Sequence, residues 1–144
     1  MLADSGVWLA LALSKHEMHP RARAWLAERS THEVMFCRST QQSFLRLLTT
    51  KAVLAPYGIP PLSNNAAWSV YDRLRADDRI SWTEEASGLE ASWRKFSGGS
   101  KASPKIWMDA YAAFAMAGGH QLVTSDKAFK QFNGLDLVVL SSKG

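Results

Sequence analysis

Four residues spread along this 144-residue chain have the types and settings for chemistry: Asp4, Gln41, Asp109 and Asp126. Asp4 follows an apolar start and precedes a helical pattern. Asp109 lies in an early turn of an Ala-rich run opened by Pro104, and Asp126 stands just past a short β-prone run, in Thr-Ser-Asp. Carboxylates brought together repel one another by about 4 kcal/mol per pair at 4 Å and an effective dielectric of about 20. A fold tolerates this by protonating one acid or by binding a cation. A carboxylate cluster without His or Cys suits a hard divalent ion, Mg²⁺ or Mn²⁺. Such an ion acidifies water and neutralises charge on a phosphoryl oxygen, which is the chemistry of phosphodiester hydrolysis. Taken singly, each acid reads as a cap or a turn residue, and Asp4 in particular as a helix N-cap.

The elements that must position these residues alternate. Strand-like runs are expected at 1–3, 33–37, 79–83, 121–124 and 135–140, and helical patterns at 7–13, 20–28, from Gln41 through Leu48, from Ser63 to Leu74, at 86–96 and from Pro104 to Gly118. Arg38-Ser39-Thr40 reads as a capping segment, which puts Gln41 at a strand-to-helix junction like that of Asp4. Alternation of this kind predicts an α/β domain with a mainly parallel central sheet covered on both faces. In such a sheet the carboxyl ends of the strands and the amino ends of the helices share one edge, where ligands bind. Asp4, Gln41, Asp109 and Asp126 all fall on that edge.

Composition narrows the function classes. With 47% apolar residues, residues 1–144 read as a single compact domain. The apolar N-terminus is interrupted by Asp4 and has no basic flank, so no signal peptide is expected, and no run is long enough to span a membrane. The lone Cys37 reads as a buried strand residue in a reducing cytoplasm. Seventeen Lys and Arg against thirteen Asp and Glu give a net charge of +4, which favours a polyanionic partner without naming one. His16 and His19 form H-E-x-H, one residue short of the zinc-protease spacing. Asp77-Asp78 reads as a solvated turn. The six tryptophans read as core or dimer packing rather than base stacking.

Three segments, MLADSGVWLALA, STQQSFLRLLT and SPKIWMDAYAAFAMAGGHQLVTSDKAF, with the spacing between them, resemble the PIN-domain ribonuclease toxins of the VapC type. The resemblance covers essentially the whole chain. It implies a three-layer α/β/α PIN-like domain, usually a homodimer, that cleaves RNA with Mg²⁺ or Mn²⁺ and is inhibited by a cognate VapB-type antitoxin. The family's acids fall on Asp4, Asp109 and Asp126, expected metal ligands, with Thr124 and Ser125 as polar support. Its acid of the middle segment falls on Gln41, whose carbonyl would orient water or the ion without supplying charge. Gly6 stands where Asn is common.

The reading is therefore a cytoplasmic, metal-dependent endoribonuclease toxin. A PIN fold that holds RNA or an antitoxin without cleaving is the alternative. An aspartyl-phosphate enzyme with Asp4 as nucleophile needs a companion Lys and a different acid spacing.

Overall fold

The computed structural model describes residues 1–142, without the side chains of Lys105, Met108, Asp109 and Ala110. Five strands, β1 (Leu2–Ala3), β2 (Val34–Phe36), β3 (Ile80–Trp82), β4 (Leu122–Thr124) and β5 (Leu137–Val139), form one sheet in the order β3-β2-β1-β4-β5. Every pairing is parallel. Seven α-helices accompany them among the described residues: α1 (Ser5–Ala12), α2 (His19–Ala27), α3 (Arg38–Leu48), α4 (Lys51–Leu54), α5 (Asn64–Arg75), α6 (Leu89–Ser97) and α7 (Ala110–Gly118). The chain winds one way from β1 to β3, then crosses back to add β4 and β5 on the other side of β1. Right-handed crossovers place helices on opposite faces when the winding reverses, giving the three layers expected.

Each face has its own core. On one, Trp8 stacks on Phe36 with ring centroids 3.7 Å apart, and Phe44 and Tyr71 close on the same ring. Full burial of a side chain such as Phe36 contributes roughly 1.5–3 kcal/mol. On the other, Leu2, Cys37 and Leu122 meet Tyr111, Phe114, Phe129 and Phe132. Cys37 is buried, as expected of it, but it caps α3 rather than ending β2: its N–H donates to Thr40 Oγ1 at 2.9 Å.

Three boundaries differ from expectation, each for a local reason. The helix α3 starts at Arg38, three residues early, because the Cys37–Thr40 pairing closes its first turn. The pattern at 86–96 becomes helical only at Leu89, since Gly88 precedes it in the left-handed region, φ 86°. The run from Pro104 is a 3₁₀ helix over Pro104–Asp109, held by bonds such as Ile106 N–H to Ser103 O at 3.2 Å, before α7 begins. It stops where the Gly118-Gly119 pair predicted, with Gly119 at φ 67°.

The acids of the Asp77-Asp78 turn are structural in part. Asp77 grips Arg79 with two carboxylate oxygens, at 2.9 and 2.6 Å, and this pairing draws its pKa down to about 2. A depressed folded-state pKa gives stability that is present above the unfolded value near 4 and lost as pH falls through 2. Allowing for the pair's partial exposure, about 1 kcal/mol is at stake. Asp77→Asn is expected to lower urea stability by that amount at pH 7, with the difference shrinking to nothing on approach to pH 2.

Candidate active site

The register between β1 and β4 builds the centre of the site. Ala3 pairs with Val123, so the next residues along, Asp4 and Thr124, stand side by side at the carboxyl edge, and Asp4 N–H donates to Val123 O at 3.0 Å. Asp4 is only 6% exposed. Its Oδ1 accepts Val7 N–H at 2.9 Å, capping α1, and its Oδ2 accepts the Thr124 hydroxyl. Thr124 Oγ1 in turn accepts Asp126 N–H at 2.9 Å, which ties the second acid to the first. The cap reading of Asp4 thus holds, and it leaves the carboxylate at the edge where a functional role would need it. Asp126 is exposed and caps the 3₁₀ turn Lys127–Gln131 through Ala128 N–H at 2.8 Å.

Electrostatically this is an acidic spot without a counter-charge among the described residues. Burial raises the Asp4 pKa, its hydrogen bonds oppose that, and the charge of Asp126 adds to the rise. Neither carboxylate is ion-paired to a described Lys, Arg or His. Gly6 leaves the approach open, since a Cβ there would lie 3.4 Å from Asp4 Oδ1 and 3.6 Å from Ser125 Oγ. Asp109 ends its 3₁₀ helix where α7 begins; its side chain lies outside the described residues. Among those residues no group of three His, Cys, Asp or Glu is arranged to hold a metal. The oxygen-only pair of buried Asp4 and exposed Asp126, with no described ion-pair partner, does fit a hard divalent cation.

Two hydroxyls that sequence reasoning passed over belong to this centre. Tyr111, one residue into α7, is 8% exposed, and its hydroxyl donates to Ser43 Oγ. Burial raises its pKa, hydrogen bonding with Ser43 and Ser5 opposes this, and the charge of Asp4 raises it further. The only signal in sequence was a Tyr two positions after Asp109.

Gln41 makes a different described contact. At about 100° per residue, Gln41 and Ser43 lie about 160° apart around α3. Ser43 faces Tyr111, whereas the Gln41 carbonyl accepts Arg38 Nη1 at 2.5 Å on the opposite flank. The described partner of the Gln41 oxygen is thus a guanidinium. Arg46, two turns along α3, is exposed beside Thr49 and Trp68. His16 and His19 serve their loop, one accepting Met18 N–H at 3.0 Å and the other meeting Ala10 O at 2.7 Å. Trp8 and Trp25 pack in the core as expected, but Trp68 and Trp107 are 47% and 58% exposed.

The PIN-domain family model matches residues 1–135. The chain belongs to the PIN-domain family. Within it, Ribonuclease VapC41 of Mycobacterium tuberculosis is 51% identical, over 98% of this chain and 99% of its own length, which places this PIN domain in the VapC branch. Two solved structures share the fold at low identity. Mycobacterium tuberculosis VapC20, described as a Sarcin-Ricin loop cleaving toxin, superposes with a TM-score of 0.62 at 17% identity, over 94% of this chain and 96% of its own. VapBC2 of Rickettsia felis, solved bound to a DNA fragment from its promoter, gives 0.63 at 12% identity, over 97% and 98%. The three-layer α/β/α architecture and the VapC resemblance are both borne out.

Proposed function

We propose that Asp4, Asp109 and Asp126 together hold one Mg²⁺ or Mn²⁺ ion with which this VapC-type endoribonuclease toxin hydrolyses RNA phosphodiesters. The observation that carries this is the buried Asp4, pinned by Val7 N–H and Thr124 and facing the charge of Asp126 with no basic partner. A buried carboxylate beside a second one is stabilised by protonation or by a cation, and a cation meets both acids at once. The ion's part, when bound, is to neutralise phosphoryl charge and acidify water.

The chain's own residues do the rest. Thr124 fixes Asp4 in one orientation and, through its bond to Asp126 N–H, sets the distance between the acids. Asp126, exposed, meets the incoming strand. Ser43 and Tyr111 close the α3 side with hydroxyls and contribute no charge. The site is therefore one carboxylate poorer than a four-acid centre, and it holds its ion weakly until substrate phosphate arrives. That same deficit is the observation favouring a non-catalytic RNA- or antitoxin-binding PIN fold.

The relative's name, Ribonuclease VapC41, and the toxin–antitoxin pairing in the VapBC2 structure support an RNA substrate and a VapB-type antitoxin for this chain. We read residues 1–144 as one domain acting as a homodimer in the cytoplasm; no described helix is long and apolar enough to cross a membrane. Purified chain incubated with cellular RNA is expected to generate discrete new 5′ ends with Mg²⁺ or Mn²⁺ and none with chelator. RNA that is bound but left intact in the presence of either ion would establish the binding module instead.

A further inference from the structure

Two arginines converge on one indole at the carboxyl end of β3. The guanidinium of Arg38 lies 4.8 Å from the Trp82 ring centroid, and that of Arg75 lies 5.8 Å from the same ring. They come from different helices, Arg38 opening α3 and Arg75 closing α5. The register that pairs Phe36 with Trp82 brings them together. Arg38 is exposed, and its Nη1 is anchored at 2.5 Å by the carbonyl of Gln41, itself 6% exposed. Arg75 Nη1 donates to the Tyr71 hydroxyl at 3.0 Å, while its Nε is buried with no partner. Glu84 meets the cluster through Trp82 Nε1 at 2.7 Å and forms no ion pair with either arginine.

We propose that Arg38, backed by Arg75, is a phosphate-binding subsite for the RNA strand, beyond the scissile position on the β3 side of the acidic centre. This rests on the ribonuclease reading above. A guanidinium offers a planar fork of five donors suited to phosphate oxygens. Stacking on Trp82 fixes the plane of the fork, and the bond to Gln41 fixes its rotation, leaving the outer edge for a ligand. The neutral amide of Gln41 orients the cation without cancelling its charge, which a carboxylate would do. Asp4 follows β1 and Trp82 ends β3, two strands away, a lateral span of about 10 Å that a short stretch of single-stranded backbone covers. Arg38 is thus a substrate-binding residue, and Gln41 is the residue that positions it.

The test uses a fluorescein-labelled single-stranded RNA of mixed sequence. Binding is measured in excess chelator over a salt series, and cleavage of the same RNA is followed with Mn²⁺. Arg38→Ala is expected to weaken binding about tenfold and to flatten the slope of log affinity against log salt by about 0.7, raising KM with kcat little changed. Arg38→Lys is expected to keep the wild-type slope while losing part of the affinity. Unchanged affinity and slope in Arg38→Ala, with the wild type still cleaving, overturns the subsite and leaves the ribonuclease reading standing. Weaker binding at an unchanged slope means lost packing on Trp82 and also overturns it. A wild type that neither binds nor cleaves RNA overturns both readings.

Discussion

Asp4→Asn is expected to lower metal-dependent RNA cleavage by on the order of a thousandfold while leaving the fold at least as stable as before. The two effects share one cause. Asp4 is nearly inaccessible, and burial disfavours its charged form enough to raise its pKa against the pull of two hydrogen bonds. An Asn keeps the oxygen that accepts Val7 N–H, and its amide can donate to Thr124 Oγ1, reversing the direction of that bond. Removing the charge relieves desolvation and the repulsion from Asp126, so a gain of up to about 1 kcal/mol in unfolding free energy is expected. The cation loses its best-fixed ligand at the same moment. Thermal unfolding and a cleavage time course with Mn²⁺ check both halves. A variant that retains wild-type cleavage removes Asp4 from the chemistry altogether.

Ser43→Glu is expected to tighten Mn²⁺ binding by roughly tenfold to a hundredfold, whereas Gln41→Glu leaves it unchanged. Ser43 touches Tyr111, which feels the charge of Asp4, so a carboxylate there joins the acidic centre. A carboxylate at Gln41 meets Arg38 instead and is neutralised by it. Titration calorimetry on the two variants separates the flanks of α3. Tighter binding by Gln41→Glu and not by Ser43→Glu would return Gln41 to the ion. The Gln41→Glu protein has a second expected phenotype, weaker RNA binding, because its new charge cancels that of Arg38.

How far the sequence carried depended on whether a residue's role follows from its own neighbours or from distant ones. The meeting of Asp4 and Asp126 at one edge was legible because Asp4 directly follows β1 and Asp126 stands two residues past β4, and parallel strands put such positions on one edge whatever the details. The three-layer architecture followed from the same alternation. The start of α3 was misplaced because Arg-Ser-Thr was read as a cap, when the Cys37–Thr40 bond already starts the helix at Arg38. Tyr111 was hidden inside an alanine-rich run whose only evident message was helix. The arginine pair on Trp82 was illegible for a different reason, since only the β2–β3 register brings α3 and α5 to the same ring.

The pairing of β1 with β4 has a further bearing on how such a chain is made. Asp4 is synthesised 120 residues before Thr124, which orients it, and Asp126, which completes the acidic pair, comes later still. β4 must also insert beside β1 after the chain has already wound through β2 and β3. Contacts of such long sequence separation form late, after their loop-closure cost has been met. A nascent or truncated chain therefore carries Asp4 without an assembled centre. The acidic pair therefore assembles only after β4 has been made, and that order is set by topology alone.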